Sequence, residues 1–192
     1  MKHTEVERKF SLTDPDRLRS RLAELKASLS GQSRQTDVYY NHPSRDFLAH
    51  EVVSEWLRLR TDQEDGRPAV SSINFKQWLP IGSSEATHAA EYESAIADHA
   101  ALTRLLEALG FAEIITVDKK RQRWHLPTPS GPVEIAIDEV SRLGMFAEFE
   151  YADSGDLPLA DEAIIWAIDR AGVGQGERDR RGYPYLLLSR QR

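Results

Sequence analysis

Charged side chains in this chain recur two residues apart. Glu5, Glu7 and Lys9 are spaced so, as are Arg58 and Arg60, Glu91 and Glu93, Lys119, Arg121 and Arg123, and Glu148 and Glu150. Lys76 and Asp138 stand alone within segments of the same kind. On a β-strand, residues two apart point to one face, so each set is a charged row. The opposite parity is apolar: Val6 and Phe10, Leu57 and Leu59, Ile73 and Phe75, Ile135 and Ile137, Phe149 and Tyr151. A sheet with one face in water also alternates apolar and charged residues, and that accounts for any one of these strands. It does not account for the segregation of sign by strand. Acidic rows next to basic rows make a site with two poles. Clustered carboxylates are hard oxygen donors suited to Mg²⁺ or Mn²⁺. Lysine and arginine neutralise phosphate oxygens, and a guanidinium can fork onto two at once.

The elements that must hold these rows are mostly strands. Alternation predicts strands over 4–12, 36–41, 54–60, 71–78, 89–96, 111–126, 133–140 and 146–151. Polar turns separate the central ones, with Gly66 in the first and Pro80 to Ser84 in the next. Leu18, Leu22, Leu25 and Leu29 recur at helical spacing after Pro15, which predicts a helix over 15–29 with a capping-box start at Thr13 and Asp16. Asp98 is placed to cap a second helix carrying Leu102, Leu105, Leu106 and Leu109 and ended by Gly110. A third helix is expected over 161–171, and a short one before the end, where Leu186 to Leu188 lie. The expected fold class is α+β: antiparallel strands whose apolar faces lie under leucine-rich helices. One domain is expected across 1–192, with 158–192 helical and placed to cover one end of the sheet.

Composition narrows the function. The 192 residues carry 25 basic and 31 acidic groups, a formal net charge of −6, which argues against a general nucleic-acid binder. A local basic cluster can still hold a small anion. There is no cysteine, so disulfides, thiolate zinc sites and thiol nucleophiles are excluded. Residues 1–5 (MKHTE) lack the apolar stretch of a secretory signal, and no apolar run approaches the ~20 residues of a membrane span. The expectation is a cytoplasmic protein, a monomer or a homodimer, with no nucleic-acid or membrane partner. The six histidines are scattered and read as surface or packing residues. The glycine-rich run 172–176 follows a helix instead of linking a strand to one, so it reads as a loop. The Arg178–Arg181 cluster reads as a solvated face. Trp56 and Trp78 share the parity of the charged rows, placed either to stack on a base or to plug the end of a barrel.

Taken in order, the rows resemble a known family. Glu5-Val6-Glu7-Arg8-Lys9 is similar to the ExExK signature of the CYTH, or triphosphate tunnel metalloenzyme, superfamily. The resemblance continues through Asp37-Val38-Tyr39-Tyr40-Asn41, the Leu-Arg-Leu-Arg at 57–60, Ile73-Asn74-Phe75-Lys76 and Glu91-Tyr92-Glu93. It ends with Lys119 and Arg121, Asp138-Glu139-Val140, Leu143-Gly144 and Phe146-Ala147-Glu148-Phe149-Glu150. It is closest to the branch of class IV adenylate cyclases and thiamine-triphosphatase-like proteins. Relatives often carry a basic residue just before the Glu91-x-Glu93 pair; here His88, Ala89 and Ala90 stand there.

The resemblance implies an antiparallel barrel of about eight strands, a triphosphate tunnel with helices packed outside. It implies Glu5, Glu7, Asp138, Glu148 and Glu150 as ligands of Mg²⁺ or Mn²⁺. Lys9, Arg58, Arg60, Lys76, Lys119 and Arg121 would grip the triphosphate, with Arg123 on their face, and Glu91 and Glu93 would form a further acidic row. Glu7, Lys9 and Glu148 are the expected catalytic centre. The expected reaction is cleavage of the terminal phosphate of inorganic triphosphate or of an organic triphosphate such as thiamine triphosphate or a nucleotide. Adenylate cyclase activity, releasing pyrophosphate from ATP, is the alternative within enzymes. A non-catalytic nucleotide- or polyphosphate-binding module is the alternative outside them. Only four residues precede Glu5, where cyclases of this family carry more, and this weights the expectation toward hydrolysis.

Overall fold

The alternation seen in the sequence builds strands in the computed structural model, which describes residues 2–84, 86, 88–153, 157–173 and 181–191, with the backbone alone for 2–4. The elements run β1 (Lys2–Glu5), β2 (Glu7–Leu12), α1 (Pro15–Glu24), β3 (Ser28–Asn41), β4 (Glu55–Glu64), β5 (Val70–Leu79) and β6 (His88–Ile96). They continue as α2 (His99–Ala108), β7 (Ala112–Thr128), β8 (Gly131–Val140), β9 (Gly144–Tyr151), α3 (Leu157–Ala171) and α4 (Tyr183–Ser189). Among the described residues the eight expected strands appear as nine, because the first is interrupted at Val6, whose carbonyl accepts from Tyr151 N at 3.1 Å.

The chain divides into two compact units. The first comprises Met1–Thr4, Arg34–Asp118 and Arg181–Arg192; the second comprises Glu5–Ser33 and Lys119–Arg180. β3 and β7 contribute residues to both. Strand order in the first unit is β1-β6-β5-β4-β3-β7, and in the second β3-β7-β8-β9-β2. The pairings β4–β5, β5–β6, β7–β8, β8–β9 and β2–β9 are antiparallel, as the α+β expectation requires.

Each unit buries the apolar parity of its strands under helices. In the first, Leu57, Leu59, Tyr40 and Phe47 form a cluster with Leu106 of α2, and Ile73, Phe75 and Leu102 pack around it. In the second, Phe10, Ile135, Ile137, Ala147 and Phe149 meet Leu18 and Leu22 of α1 and Ala163, Ile164 and Ala167 of α3. At ~25 cal/mol per Å² of apolar surface removed from water, a fully buried Phe149 or Ile135 contributes about 2–3 kcal/mol. With both strand faces thus assigned, the charged parity is left to the opposite side of each sheet.

Three helix boundaries differ from the sequence reading. The N-cap of α1 is Asp14, whose Oδ1 accepts from Arg17 N at 2.9 Å, one residue beyond the expected Thr13. α1 also ends at Glu24, well short of 29. Lys26 takes a left-handed φ of 60° there, and Ala27 N donates to Leu22 O at 2.9 Å, closing the helix without a glycine. Leu25 and Leu29 keep the helical spacing by coincidence; Leu29 lies on β3 and is exposed. α2 keeps its predicted limits, with Asp98 Oδ1 accepting from Ala101 N at 2.9 Å and Gly110 at φ 85°. α3 starts at Leu157, before the expected 161. Among the described residues no helix is long and apolar enough to cross a membrane.

Candidate functional site

In the second unit, strand register turns the charged parity into rows that run across the strands. Glu7 on β2 pairs with Glu150 on β9, which pairs with Glu134 on β8, which pairs with His125 on β7. The next row is Lys9, Glu148, Ala136 and Arg123. The third is Ser11, Phe146, Asp138 and Arg121. Residues directly opposite across an antiparallel pair have Cβ atoms about 5 Å apart, so carboxylates and cations alternate within reach of one another. Arg121 lays its Nε and Nη2 on the two oxygens of Asp138 at 2.8 and 2.6 Å. The same Nη2 reaches Glu148 Oε2. Lys9 and Lys119 are both buried, which an ammonium tolerates only among compensating partners. Glu5 is buried at the end of β1, while Glu7, Glu148 and Glu150 are half-buried. Arg123 Nη1 lies 3.4 Å from Ser33 Oγ.

The first unit carries a second charged face. Register places Arg58 opposite Asn74, Trp56 opposite Lys76, and Lys76 opposite Glu91. Arg60 grips Asp37 of β3 with Nε at 2.6 Å and Nη2 at 2.8 Å. Arg58 stands between two carboxylates, with Nη1 3.7 Å from Asp37 and Nη2 4.0 Å from Glu91. Its Nε is buried and has no hydrogen-bond partner. Burial alone works against the charge of Arg58, but Asp37, Tyr39 and Glu91 outweigh it and raise its pKa, so it stays charged at any accessible pH. Burial, followed by the charge of Asp37, raises the pKa of Tyr39. Glu91 accepts from Asn74 Nδ2 at 2.5 Å, and Glu93 from Ser72 Oγ at 2.9 Å. Lys76 Nζ sits 4.6 Å from the centre of the Trp78 ring. Trp56 is buried edge-on to Tyr39, with ring centres 5.6 Å apart. Gly182, at the start of α4, lies against the indole nitrogen of Trp56: a Cβ there would be 3.5 Å from it.

The two faces together hold every residue singled out in the sequence: Arg58, Arg60, Lys76, Glu91 and Glu93 in the first unit, the others in the second. Four contributors were not read as site residues. Asp37 and Asn74 are buried polar groups at 0% and 2% exposure, and Glu134 joins His125 at 2.6 Å. The available signal was parity: Glu134 lies four residues before Asp138, and His125 two residues after Arg123. The run 174–176 and residues 178–180 lie outside the described residues.

For a divalent ion, the donor chemistry of Glu7, Glu148 and Glu150 fits, being hard carboxylates of one parity on neighbouring strands. Asp138 does not fit as it stands, because Arg121 holds both its oxygens. Among the described residues, no three His, Asp or Glu side chains converge as a metal group.

The sequence matches the CYTH domain family over residues 3–183. The chain belongs to the CYTH domain family. A relative from Methanocaldococcus jannaschii bearing the name “Putative adenylate cyclase MJ0240” is 30% identical over 160 residues, 83% of either chain. Among solved structures, the PH1819 protein of Pyrococcus horikoshii OT3 aligns with a TM-score of 0.78 and 28% identity, covering 97% of this chain and 99% of that one. A Hippeastrum protein bearing the name “Putative adenylyl cyclase HpAC1”, and said to show a dominant triphosphatase activity, aligns with a TM-score of 0.62. At 13% identity, covering 98% of this chain and 96% of that one, it shares the fold alone. The CYTH fold expected from the sequence is the fold present.

Proposed function

We propose that this CYTH protein is a divalent-metal-dependent triphosphatase that releases the terminal phosphate of inorganic triphosphate or of an organic triphosphate. The observation that carries the reading is the second unit's face, where Glu7, Glu148 and Glu150 share one parity with Lys9, Lys119 and Arg121. A site that only bound polyphosphate would need the basic residues and not the acidic row.

Glu7, Glu148 and Glu150, with Glu5 beside them in sequence, would hold Mg²⁺ or Mn²⁺. When bound, the ion supplies Lewis-acid polarisation of phosphoryl oxygens. Lys9, Lys119 and Arg121 would neutralise charge on the phosphate oxygens; Arg58 and Lys76 offer the same chemistry on the first unit's own face. Arg121 divides its Nη2 between Asp138 and Glu148. A phosphate oxygen that took the Glu148 share would exchange one charge-assisted contact for another and leave Glu148 available to a cation. The partners assigned are a small triphosphate and the ion, with no nucleic acid and no membrane.

The second reading is adenylate cyclase, favoured by the name of the M. jannaschii relative. The Hippeastrum protein, which shares the fold alone, joins a cyclase name to a dominant triphosphatase activity, so the name of a relative does not decide between the readings. A product assay separates the readings: purified protein with Mg²⁺ or Mn²⁺ is offered inorganic triphosphate, thiamine triphosphate and ATP in turn. Orthophosphate as the main product is expected. Pyrophosphate with cyclic AMP from ATP would establish the cyclase, and no turnover of any of the three would leave a binding module.

A further inference from the structure

One carboxylate of the first unit has no evident place in an anion site. Asp37 is fully buried, at 0% exposure, on β3 beside the two arginines of β4. A negative charge there weakens the attraction of the face for phosphate, and an isolated buried carboxylate is costly. Its contacts explain its presence. Oδ1 accepts from Arg60 Nε at 2.6 Å and Oδ2 from Arg60 Nη2 at 2.8 Å, so one whole edge of that guanidinium is taken. Oδ2 also faces Arg58 Nη1 at 3.7 Å. What remains of Arg60 for a ligand is Nη1. What remains of Arg58 includes its buried, unpartnered Nε. Two guanidiniums two residues apart on one strand repel each other; a carboxylate shared between them fixes their separation and the direction each presents.

We propose that Asp37 is a positioning residue: by holding Arg60 at two points and standing between it and Arg58, it presents the pair to phosphate oxygens in one geometry. The proposal rests on the triphosphatase reading above. It has an unusual signature, because removing Asp37 adds net positive charge to an anion site while releasing the orientation of its donors. Ground-state affinity should hold or rise while turnover falls.

The test is Asp37→Asn, with triphosphate affinity measured by calorimetry in chelator and turnover measured with Mn²⁺. Affinity for inorganic triphosphate is expected to stay level or tighten by about two- to fivefold, and kcat to fall by about tenfold or more, as a misplaced charge clamp does. In the Arg60→Ala background the same substitution should lower kcat by much less than it does alone, because Asp37 would act chiefly through Arg60. A merely structural role would lower the melting temperature and leave kcat and affinity of the folded fraction alone. If Asp37→Asn does not fold, Asp37→Glu keeps the charge and shifts the fork by one methylene; kcat should drop with affinity unchanged. Turnover within twofold of the unsubstituted protein in a folded variant, or losses that multiply with Arg60→Ala, would overturn the proposal alone. An unsubstituted protein that neither binds nor cleaves inorganic triphosphate would overturn the triphosphatase reading and this proposal with it.

Discussion

The two units solve one electrostatic problem with the same part and then diverge. In each, a fully buried aspartate takes an arginine of the neighbouring strand at two points: Asp37 with Arg60 at 2.6 and 2.8 Å, and Asp138 with Arg121 at 2.8 and 2.6 Å. The surroundings differ. Around Asp37 lie two guanidiniums, Arg60 and Arg58, and the charge of Asp37 is felt at Tyr39, so the carboxylate is outnumbered by cations. Beside Asp138 the Arg121 guanidinium also reaches Glu148, so Arg121 is shared between two carboxylates. An aspartate beside a basic row therefore works as a holder of arginine in both units. Cation-binding capacity then falls to the glutamates: in the second unit Glu7, Glu148 and Glu150 stand on the paired strands β2 and β9, whereas Glu91 and Glu93 of the first unit share one strand and accept from Asn74 and Ser72.

That contrast predicts opposite responses to substitution. Arg58→Ala in the first unit should weaken binding of inorganic triphosphate even in chelator. The loss is about 2–3 kcal/mol, since a charge-assisted contact and a buried donor go together. Calorimetry without metal reads it directly, and an unchanged affinity would mean that the first unit's face does not bind phosphate. Glu148→Gln in the second unit should do the reverse. The Mn²⁺ concentration for half-maximal activity should rise by about tenfold or more. Affinity for triphosphate in chelator should hold or improve, because Arg121 loses a competing acid. If both variants change both readouts equally, the division into an anion pole and a cation pole is wrong.

Backbone strain is distributed unequally too. Gly131 sits at φ 120° in the β7–β8 turn, and a Cβ there would come within 2.7 Å of Tyr151 Cε2. Gly66, in the β4–β5 turn of the first unit, has φ 73° with open space around it. Gly131→Ala should cost about 2 kcal/mol or more, from conformation and clash together, and Gly66→Ala about 1 kcal/mol, from conformation alone. Urea denaturation of the two variants would measure the gap; equal costs would mean that Tyr151 moves aside freely.

Much of this was legible because parity is a local property. Spacing sets Lys119 with Arg121, and Glu148 with Glu150, on one face of each strand, and register then brings these rows together across β7, β8, β9 and β2. What escaped depended on neighbours distant in sequence. Asp37 and Asn74 are single polar residues in otherwise ordinary strands, and only pairing with β4 and β6 shows them as partners of Arg60 and Glu91. Glu134 and His125 likewise acquire meaning through each other. The early end of α1 escaped for another reason. A helix closed by a non-glycine residue in the left-handed region leaves no mark at Lys26, while Leu25 and Leu29 kept the rhythm of a longer helix.

The smallest effect sharpens the comparison at the level of single helices. Asp14 and Asp98 cap α1 and α2 with the same geometry, each accepting a backbone N–H three residues on at 2.9 Å. Replacing either by alanine should cost about 1 kcal/mol. The helices differ in what else holds them. α1 sinks Leu18 and Leu22 into the second unit's core, at 2% and 0% exposure, whereas α2 buries Leu106 and leaves Leu105 and Leu109 half exposed to water. A helix held mainly by packing should keep its amides protected when its cap is lost, and one held more by its own ends should open. Asp98→Ala is therefore expected to speed amide exchange along the first turns of α2 by about fivefold, and Asp14→Ala to change α1 by less. The reverse order would mean that the two buried leucines of α1 contribute less than the cap, and that the second unit is held together chiefly through its sheet.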